Sequence, residues 1–478
     1  MAAYEVQNSY ANGHVNGTIN SAINANVKHP SVQVSEKLDE IEQIWGRRTK
    51  ATWFSAFFCF LLVTLCPVFL TIIFATLEHF DGSILGTLTA FREEGSLRFF
   101  INYSPRPDFN AAVGYLAWLL FQALLYTFLP GPLSTGQMTP AGNLLKYRTN
   151  GLNAWLLTHA LFLTLGFSGF LDMAIIANNW QGLVVATYVY GFIISGFSLV
   201  KAHLAPSHPK DRKFSGSMIF DFFAGVELNP RFGDLWDFKL FHNGRPGIVA
   251  WTLISLSYTA SQYQTLGYVT NSLILVDLFH LMYVVDFFIN EDWYLRTIDM
   301  AHDHFGYMLG FGSVAIVPGL YTIQAQYLAR YPVDLSTLHA LAVLVIGLGG
   351  YAIFRAANHQ KDVVRQTNGQ CDIWGKKAEV IIAPYKTADG QSHESLLLCS
   401  GWWGFSRHAN YLGDMMQAFS MGAACGNNHL MPWLYTLFIG AVLANRVRRC
   451  EARCSGKYGQ NWRKYCDRVQ YRILPGVI

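Results

Sequence analysis

Residues 290–306 read Asn-Glu-Asp-Trp-Tyr-Leu-Arg-Thr-Ile-Asp-Met-Ala-His-Asp-His-Phe-Gly, a run of acids and imidazoles set between two apolar stretches. Ionisable groups at membrane depth are costly, which makes them candidates for function. On a helix, Asp299, His302 and Asp303 share a face at i, i+3 and i+4. Burial and neighbouring charge can tune a carboxyl or an imidazole there to deliver a proton to an apolar substrate. A hydrogen-bonded network that only fixes packing has the same spacing, so spacing alone leaves both open. Adjacent His and Asp side chains point to different helix faces, and no metal is expected at His302-Asp303-His304.

A second chemistry is cationic. Lys361 and Arg365 stand four apart on one helical face, and Arg446, Arg449, Arg453 and Lys457 recur at i, i+3, i+7 and i+11. Guanidinium forks grip phosphate and an ammonium adds a point charge, so the stripe suits a multiply phosphorylated ligand. Anionic lipid head groups would suit it too. Between the two basic segments, residues 401–411 (Gly-Trp-Trp-Gly-Phe-Ser-Arg-His-Ala-Asn-Tyr) supply the rings and amides that a dinucleotide needs. No strand followed by G-x-G-x-x-G and a helix occurs, and the glycines of 346–350 sit inside an apolar run. A dinucleotide here is therefore not held by a Rossmann fold. Cys450, Cys454 and Cys466 lack a fourth ligand at zinc-finger spacing.

The elements that must position these groups follow from composition. The chain has 478 residues, a net charge of +4, 52% hydrophobic and 14% charged residues, where a soluble chain carries about 25% charged. With a mean hydropathy of +0.22, this excludes an ordinary soluble enzyme and a disordered chain. Apolar runs recur near 52–79, 111–130, 153–177, 181–203, 248–268, 271–289, 306–328, 335–356, 411–426 and 431–445. They are continuous rather than alternating, which excludes a β-barrel and predicts an all-α polytopic membrane protein with about ten transmembrane helices. Residues 1–48, polar and without signal-peptide features, are expected to be a disordered extension. Basic clusters at 201–213, 355–377 and 446–472 are expected to face the cytosol. The mixed stretch 220–247 is expected to lie at the interface or re-enter the protein, and Asp172, Asp277 and Asp286 to serve packing. Eight scattered cysteines predict no disulfide framework, and charge gathered at membrane faces is no nucleic-acid footprint.

Gly225-Val-Glu-Leu-Asn229-Pro230-Arg231 matches the pattern G-x-x-x-N-P-R, and residues 445–459 match most of H-R-x-x-R-D-E-x-x-C-x-x-K-Y-G. Through these motifs the chain resembles the sterol reductase family, membrane enzymes that reduce C14 or C7 double bonds of sterols. Residues 236–241, 243–253, 357–362 and 471–476 resemble the branch acting at C7. The likeness runs from about residue 110 to the C-terminus.

The resemblance implies an endoplasmic-reticulum enzyme that uses NADPH to reduce the C7–C8 double bond of a Δ5,7-sterol. It implies a membrane domain over 49–478, with sterol-pocket helices in 247–356 and a cytosol-facing cofactor part in 357–478. The family's cofactor positions fall on Lys361, Arg365, Leu398, Trp403, Asn410, Tyr411, Cys450, Cys454, Ser455, Gly456, Lys457, Tyr458 and Tyr465. Two motif positions depart from the family pattern, Asn445 where His is usual and Cys450 where Asp is usual; the second removes a carboxylate from the cofactor-facing helix.

An isolated double bond is a poor hydride acceptor, so an acid and the cofactor must meet at one bond in a dry cavity. Candidate acids are Glu291, Asp299, Asp303 and Tyr411, with His302 as relay. Expected partners are the sterol, the bilayer and other enzymes of the sterol pathway. The alternatives are reduction of another sterol bond (C14–C15 or side chain), an S-adenosylmethionine methyltransferase, whose cofactor lacks the pyrophosphate that so many cations imply, and a non-enzymatic sterol-binding scaffold.

Overall fold

The computed structural model describes residues 50–387 and 390–477; the extension expected over 1–48 lies outside the described residues. Ten helices of 15 residues or more organise the described chain. They are α1 (Trp53–His79), α2 (Phe109–Phe128), α3 (Gly151–Phe167), α4 (Trp180–Leu204), α5 (Ala250–Leu266), α6 (Asn271–Ile289), α7 (Tyr307–Arg330), α8 (Thr337–Gln366), α9 (Ala409–Ala423) and α10 (Leu434–Tyr458). Six of them, α1, α2, α4, α6, α7 and α8, are long and apolar enough to cross a membrane. The other four expected runs also fold as helices, but α3, α5 and α9 have only 17, 17 and 15 residues, and the second half of α10 is charged.

Side-chain oxygens start several of these helices. Asp108 accepts from the Ala111 amide at 2.7 Å, and Thr270 and Ser336 do the same for Leu273 and His339. Leu116, Leu120 and Leu124 form an exposed stripe one turn apart along α2, a pattern that fits lipid and would be an aggregation hazard in water. Among the described residues, sheet is confined to two-stranded pairs. The longest pairs Val380–Lys386 with Ser392–Leu398, in register from Val380 opposite Leu398 to Lys386 opposite Ser392.

α8 and α9 meet at a glycine pair. A Cβ on Gly413 would lie 2.4 Å from the Gly350 carbonyl oxygen, and one on Gly350 would lie 2.7 Å from that of Gly413. Small residues of this kind let helix backbones touch, and the contact sets the middle of α8 beside the first half of α9. Gly413→Val is expected to cost about 3 kcal/mol through overpacking, read as a lower thermal midpoint in detergent. Gly114→Ala, with open space around it, should leave the midpoint unchanged or slightly raised.

Of the two placements expected for the mixed stretch, the structure shows the one inside the protein: residues 225–231 and 237–247 are buried. Pairing removes the cost of its charges. Lys201 meets Glu227 at 3.1 Å, Arg231 meets Asp237 at 3.0 Å, and Arg245 meets Glu291 at 2.7 Å. Arg231 also lies 4.2 Å from the centre of the Tyr147 ring, so the Asn-Pro-Arg motif is framework. Residues Arg245–Val249 and Gly312–Tyr321 wind as π-helix and cross where a Cβ on Gly247 would strike the Ser313 carbonyl at 2.0 Å.

Asp172, Asp277 and Asp286 make local ties: Asp172 accepts from the Ala174 amide, Asp277 from Thr259, and Asp286 from Tyr351 at 2.9 Å and Arg355 at 3.3 Å. All eight cysteines are thiols.

Candidate active site

The single helical face expected for Asp299, His302 and Asp303 does not form. Only Ile298–Ala301 is helical, and His302 leaves it at φ −138°. The buried Lys239 ammonium explains the turn, donating to the carbonyls of Met300 at 2.7 Å and Asp303 at 2.8 Å. Burial pushes this ammonium down to about 8.

The three side chains nevertheless act together, on a common partner. Arg446 pairs with Asp299, Arg449 with Asp303, and Arg453 with His302. The acidic run and the cationic stripe thus form a ladder along α10. Because arginine only donates, His302 Nε2 accepts, and burial with the Arg453 charge holds that imidazole neutral. Burial pushes the Asp303 carboxyl up, with Arg449 opposing.

Glu291 lies outside the ladder. Its Oε1 meets Arg245, its Oε2 accepts from the Gly151 amide at 2.8 Å, and Arg245 continues to Asn150 Oδ1 at 2.9 Å. Both carboxylate oxygens are committed to tying α3 to the π-helical segment, so the structure does not bring Glu291 to the other candidate acids.

Beyond the ladder a second group of cations converges from α8 and α10. Lys361, Arg365, Arg453 and Lys457 lie within electrostatic reach of one another. Among the described residues, neither Lys361 nor Arg365 forms an ion pair with a carboxylate. The Lys361 ammonium stands 4.4 Å from the centre of the Trp403 ring, whose Nε1 donates to the Ala357 carbonyl at 2.7 Å. Leu398 packs with Trp403, Val364 and Ile373. The Tyr465 hydroxyl donates to the Trp403 carbonyl at 3.4 Å, that of Tyr458 to Ser395 Oγ at 3.2 Å, and Lys457 stands 3.7 Å from the Tyr385 ring centre. Ser455 and Gly456 are exposed on the last turn of α10, and Cys454 packs against the cluster of Trp462 and Tyr465.

At the start of α9, Asn410 Nδ2 donates to Asn358 Oδ1 at 3.3 Å, leaving Asn358 Nδ2 and Asn410 Oδ1 buried without partners. His408 Nε2 is also buried without one, while its ring stacks on Tyr411 at 5.1 Å and 9°. Burial pushes the His408 imidazole down to about 3. The Tyr411 hydroxyl lies within electrostatic reach of the Cys450 thiol.

Gathered like charges and unpaired buried amides both cost free energy until a ligand offsets them. Here the complement is an anion that also carries a flat ring and amide-like groups. Arg407, next to His408 in sequence, is itself paired: it meets Glu451 at 2.6 Å and the carbonyls of Val469 and Gln470 at 2.6 and 2.8 Å.

One site residue escaped the sequence reading. Asp414, one turn after Tyr411 on α9, lies within reach of Arg446 and of the Tyr283, Tyr321 and Tyr435 hydroxyls. Trp251 packs on these three rings at 5.3, 5.1 and 6.3 Å. The signal was present, since Asp414 is a lone acid within an apolar run. Asp414→Asn is expected to lower turnover about 100-fold with the folded yield kept, measured as initial rates at saturating cofactor; wild-type rates would remove Asp414 from the chemistry.

Residues 49–478 match the family model described as "Ergosterol biosynthesis ERG4/ERG24 family". A 7-dehydrocholesterol reductase of Danio rerio is 45% identical over 446 residues, covering 91% of this chain and 93% of that protein. One from Xenopus laevis is 44% identical, with coverage of 91% and 94%. A Delta(14)-sterol reductase of Methylotuvimicrobium alcaliphilum is 35% identical, with coverage of 87% and 93%. With its apolar helices and exposed leucine stripe, the chain is a multi-pass membrane protein, and it belongs to the ERG4/ERG24 family of sterol reductases, oxidoreductases that act on a carbon–carbon double bond of a sterol.

Proposed function

We propose that this chain reduces the C7–C8 double bond of Δ5,7-sterols with NADPH, in the endoplasmic-reticulum membrane, through about ten transmembrane helices. In this reading 247–356 forms the sterol pocket and 357–478 the cytosol-facing cofactor part, and association with other sterol-pathway enzymes is part of it. The observation that carries the reading is the convergence of Lys361, Arg365, Arg453 and Lys457 beside Trp403 and the unpaired amides of Asn358 and Asn410. The names of the Danio rerio and Xenopus laevis relatives support C7 as the site of reduction.

The residues present fit NADPH. Lys361, Arg365 and Lys457 would hold its phosphates, and Trp403, Asn410, Tyr411, Leu398 and Tyr465 would wall its rings. Cys450, Cys454, Ser455, Gly456 and Tyr458 complete that wall along α10. When bound, NADPH supplies hydride.

The chain's own task is the proton and the environment of the reacting bond. Tyr411 and Asp414, one turn apart on α9, are the proposed acids. Asp299 and Asp303 hold Arg446 and Arg449 in place, and neutral His302 links the ladder to Arg453. A protonated sterol carbon gains positive charge, which the faces of Trp251, Tyr283 and Tyr321 can stabilise.

Expression in a yeast that accumulates Δ5,7-sterols tests the reading by sterol profile. The expected result is loss of the conjugated diene and NADPH-dependent formation of products saturated at C7–C8. A second reading, reduction at C14–C15, is favoured by the Methylotuvimicrobium alcaliphilum relative and the departure at Cys450. An untouched diene pool with consumption of a Δ14-sterol would establish it instead.

A further inference from the structure

A cavity of about 340 Å³ lies where α2 ends, outside the segments that the sterol and cofactor reading uses. Two hairpins build it, Leu133–Thr135 with Lys146–Arg148 and Arg231–Phe232 with Trp236–Asp237. The Arg231 guanidinium ties them together, donating to the carbonyls of Lys146 at 2.8 Å and Asp234 at 2.6 Å. Three rings wall the cavity. Trp236 meets Tyr126 nearly at right angles (87°, 5.5 Å) and Phe232 at 46° and 5.8 Å, and its Nε1 donates to Thr127 Oγ1 at 3.2 Å. Two charges share the lining. Arg148 donates to the Thr127 carbonyl at 2.7 Å and, among the described residues, forms no ion pair with a carboxylate. The Asp234 carboxylate, exposed in the turn between the strands, takes no hydrogen bond from another described residue.

The depth of the cavity follows from the helix that ends at it. α2 has 20 residues, about 30 Å of helix, which matches a hydrocarbon layer of about 30 Å. Its last turn, with Tyr126 and Thr127, therefore stands at head-group level, and the neighbouring Phe128 and Leu133 are 75% and 62% exposed. Tryptophan and tyrosine gather at this level in membrane proteins generally; the two unpartnered charges are what point to a ligand. One cation and one anion beside aromatic faces suit a molecule that carries opposite charges close together. A sterol has no charge to offer them, and a purely anionic lipid leaves Asp234 opposed. Guanidinium grips phosphate, and aromatic faces hold a quaternary ammonium. We propose that this cavity seats the phosphocholine head group of a bilayer lipid, with the phosphate at Arg148, the trimethylammonium at Phe232 and Trp236, and Asp234 balancing its charge. The acyl chains remain in the bilayer beside α2.

Native mass spectrometry of the full chain tests this, after incubation in detergent with equimolar phosphatidylcholine and phosphatidylglycerol of matched acyl chains. Phosphatidylcholine should be retained about tenfold more than phosphatidylglycerol. Asp234→Lys should invert that preference, Asp234→Asn should weaken it, and Arg148→Ala should lower the retention of both lipids. Glycerophosphocholine, which has the head group without the chains, should be retained far less than the lipid. Equal retention of the two lipids by the parent chain overturns the proposal, as does a choline preference that neither Asp234 variant changes in monodisperse protein. Glycerophosphocholine retained as well as the lipid makes the occupant a solute and overturns the bilayer source. The cofactor reading uses none of these residues and is decided separately.

Discussion

Lys361→Ala combined with Arg365→Ala is expected to raise the KM for NADPH by about 100-fold or more, with turnover at saturation changed far less. A hydrogen bond to a charged group is worth about 1.5–3 kcal/mol, and each 1.4 kcal/mol is about tenfold in affinity. Two such contacts therefore give two orders of magnitude at the lower bound. The thermal midpoint should hold or rise, because the substitutions relieve repulsion within a group that has gathered four cations. Steady-state kinetics with a thermal unfolding curve reads both effects. A KM equal to that of the parent enzyme would move the phosphate site away from α8.

Glu291→Gln should act on the fold. Its partner Arg245 is fully buried and lies over the rings of Tyr126 and Phe288 at 5.3 and 5.5 Å. Removing one member of a buried ion pair strands the other charge, at about 3–5 kcal/mol. Most of the protein should then be lost from the monodisperse fraction in gel filtration, while the folded remainder keeps its turnover. Replacing both members with Met should restore much of the yield, since an apolar pair of similar volume removes the stranded charge. A Glu291→Gln protein of normal stability that turned over poorly would return Glu291 to the catalytic acids.

These two glutamate and lysine positions also mark where sequence reading works and where it stops. Lys361 and Arg365 are legible from an i, i+4 spacing, because a helix fixes which neighbours share a face. The helices themselves are legible because their apolar runs are continuous. The aromatic segment 401–411 is legible from composition, and the family likeness singles out Trp403 within it. Glu291 looks like a free acid until Arg245 is set against it, and the ladder joins residues 146 to 151 positions apart, a register that no local spacing carries. The same blindness left two placements open for the 220–247 stretch. Interface and interior could not be told apart because the partners that neutralise its charges, Lys201 before it and Glu291 after it, are distant in sequence.

The length of α8 has a consequence for the membrane around it. At 30 residues a straight helix spans about 45 Å, against a hydrocarbon layer of about 30 Å. One continuous rod thus carries lipid-facing leucines at one end and Lys361 and Arg365 at the other. Tilt is one response of such a helix to a change in bilayer thickness, and tilt of this rod would move those cations relative to the aqueous boundary. If those cations hold a water-borne ligand as proposed, its affinity is expected to differ between thin membranes and membranes thickened by sterol.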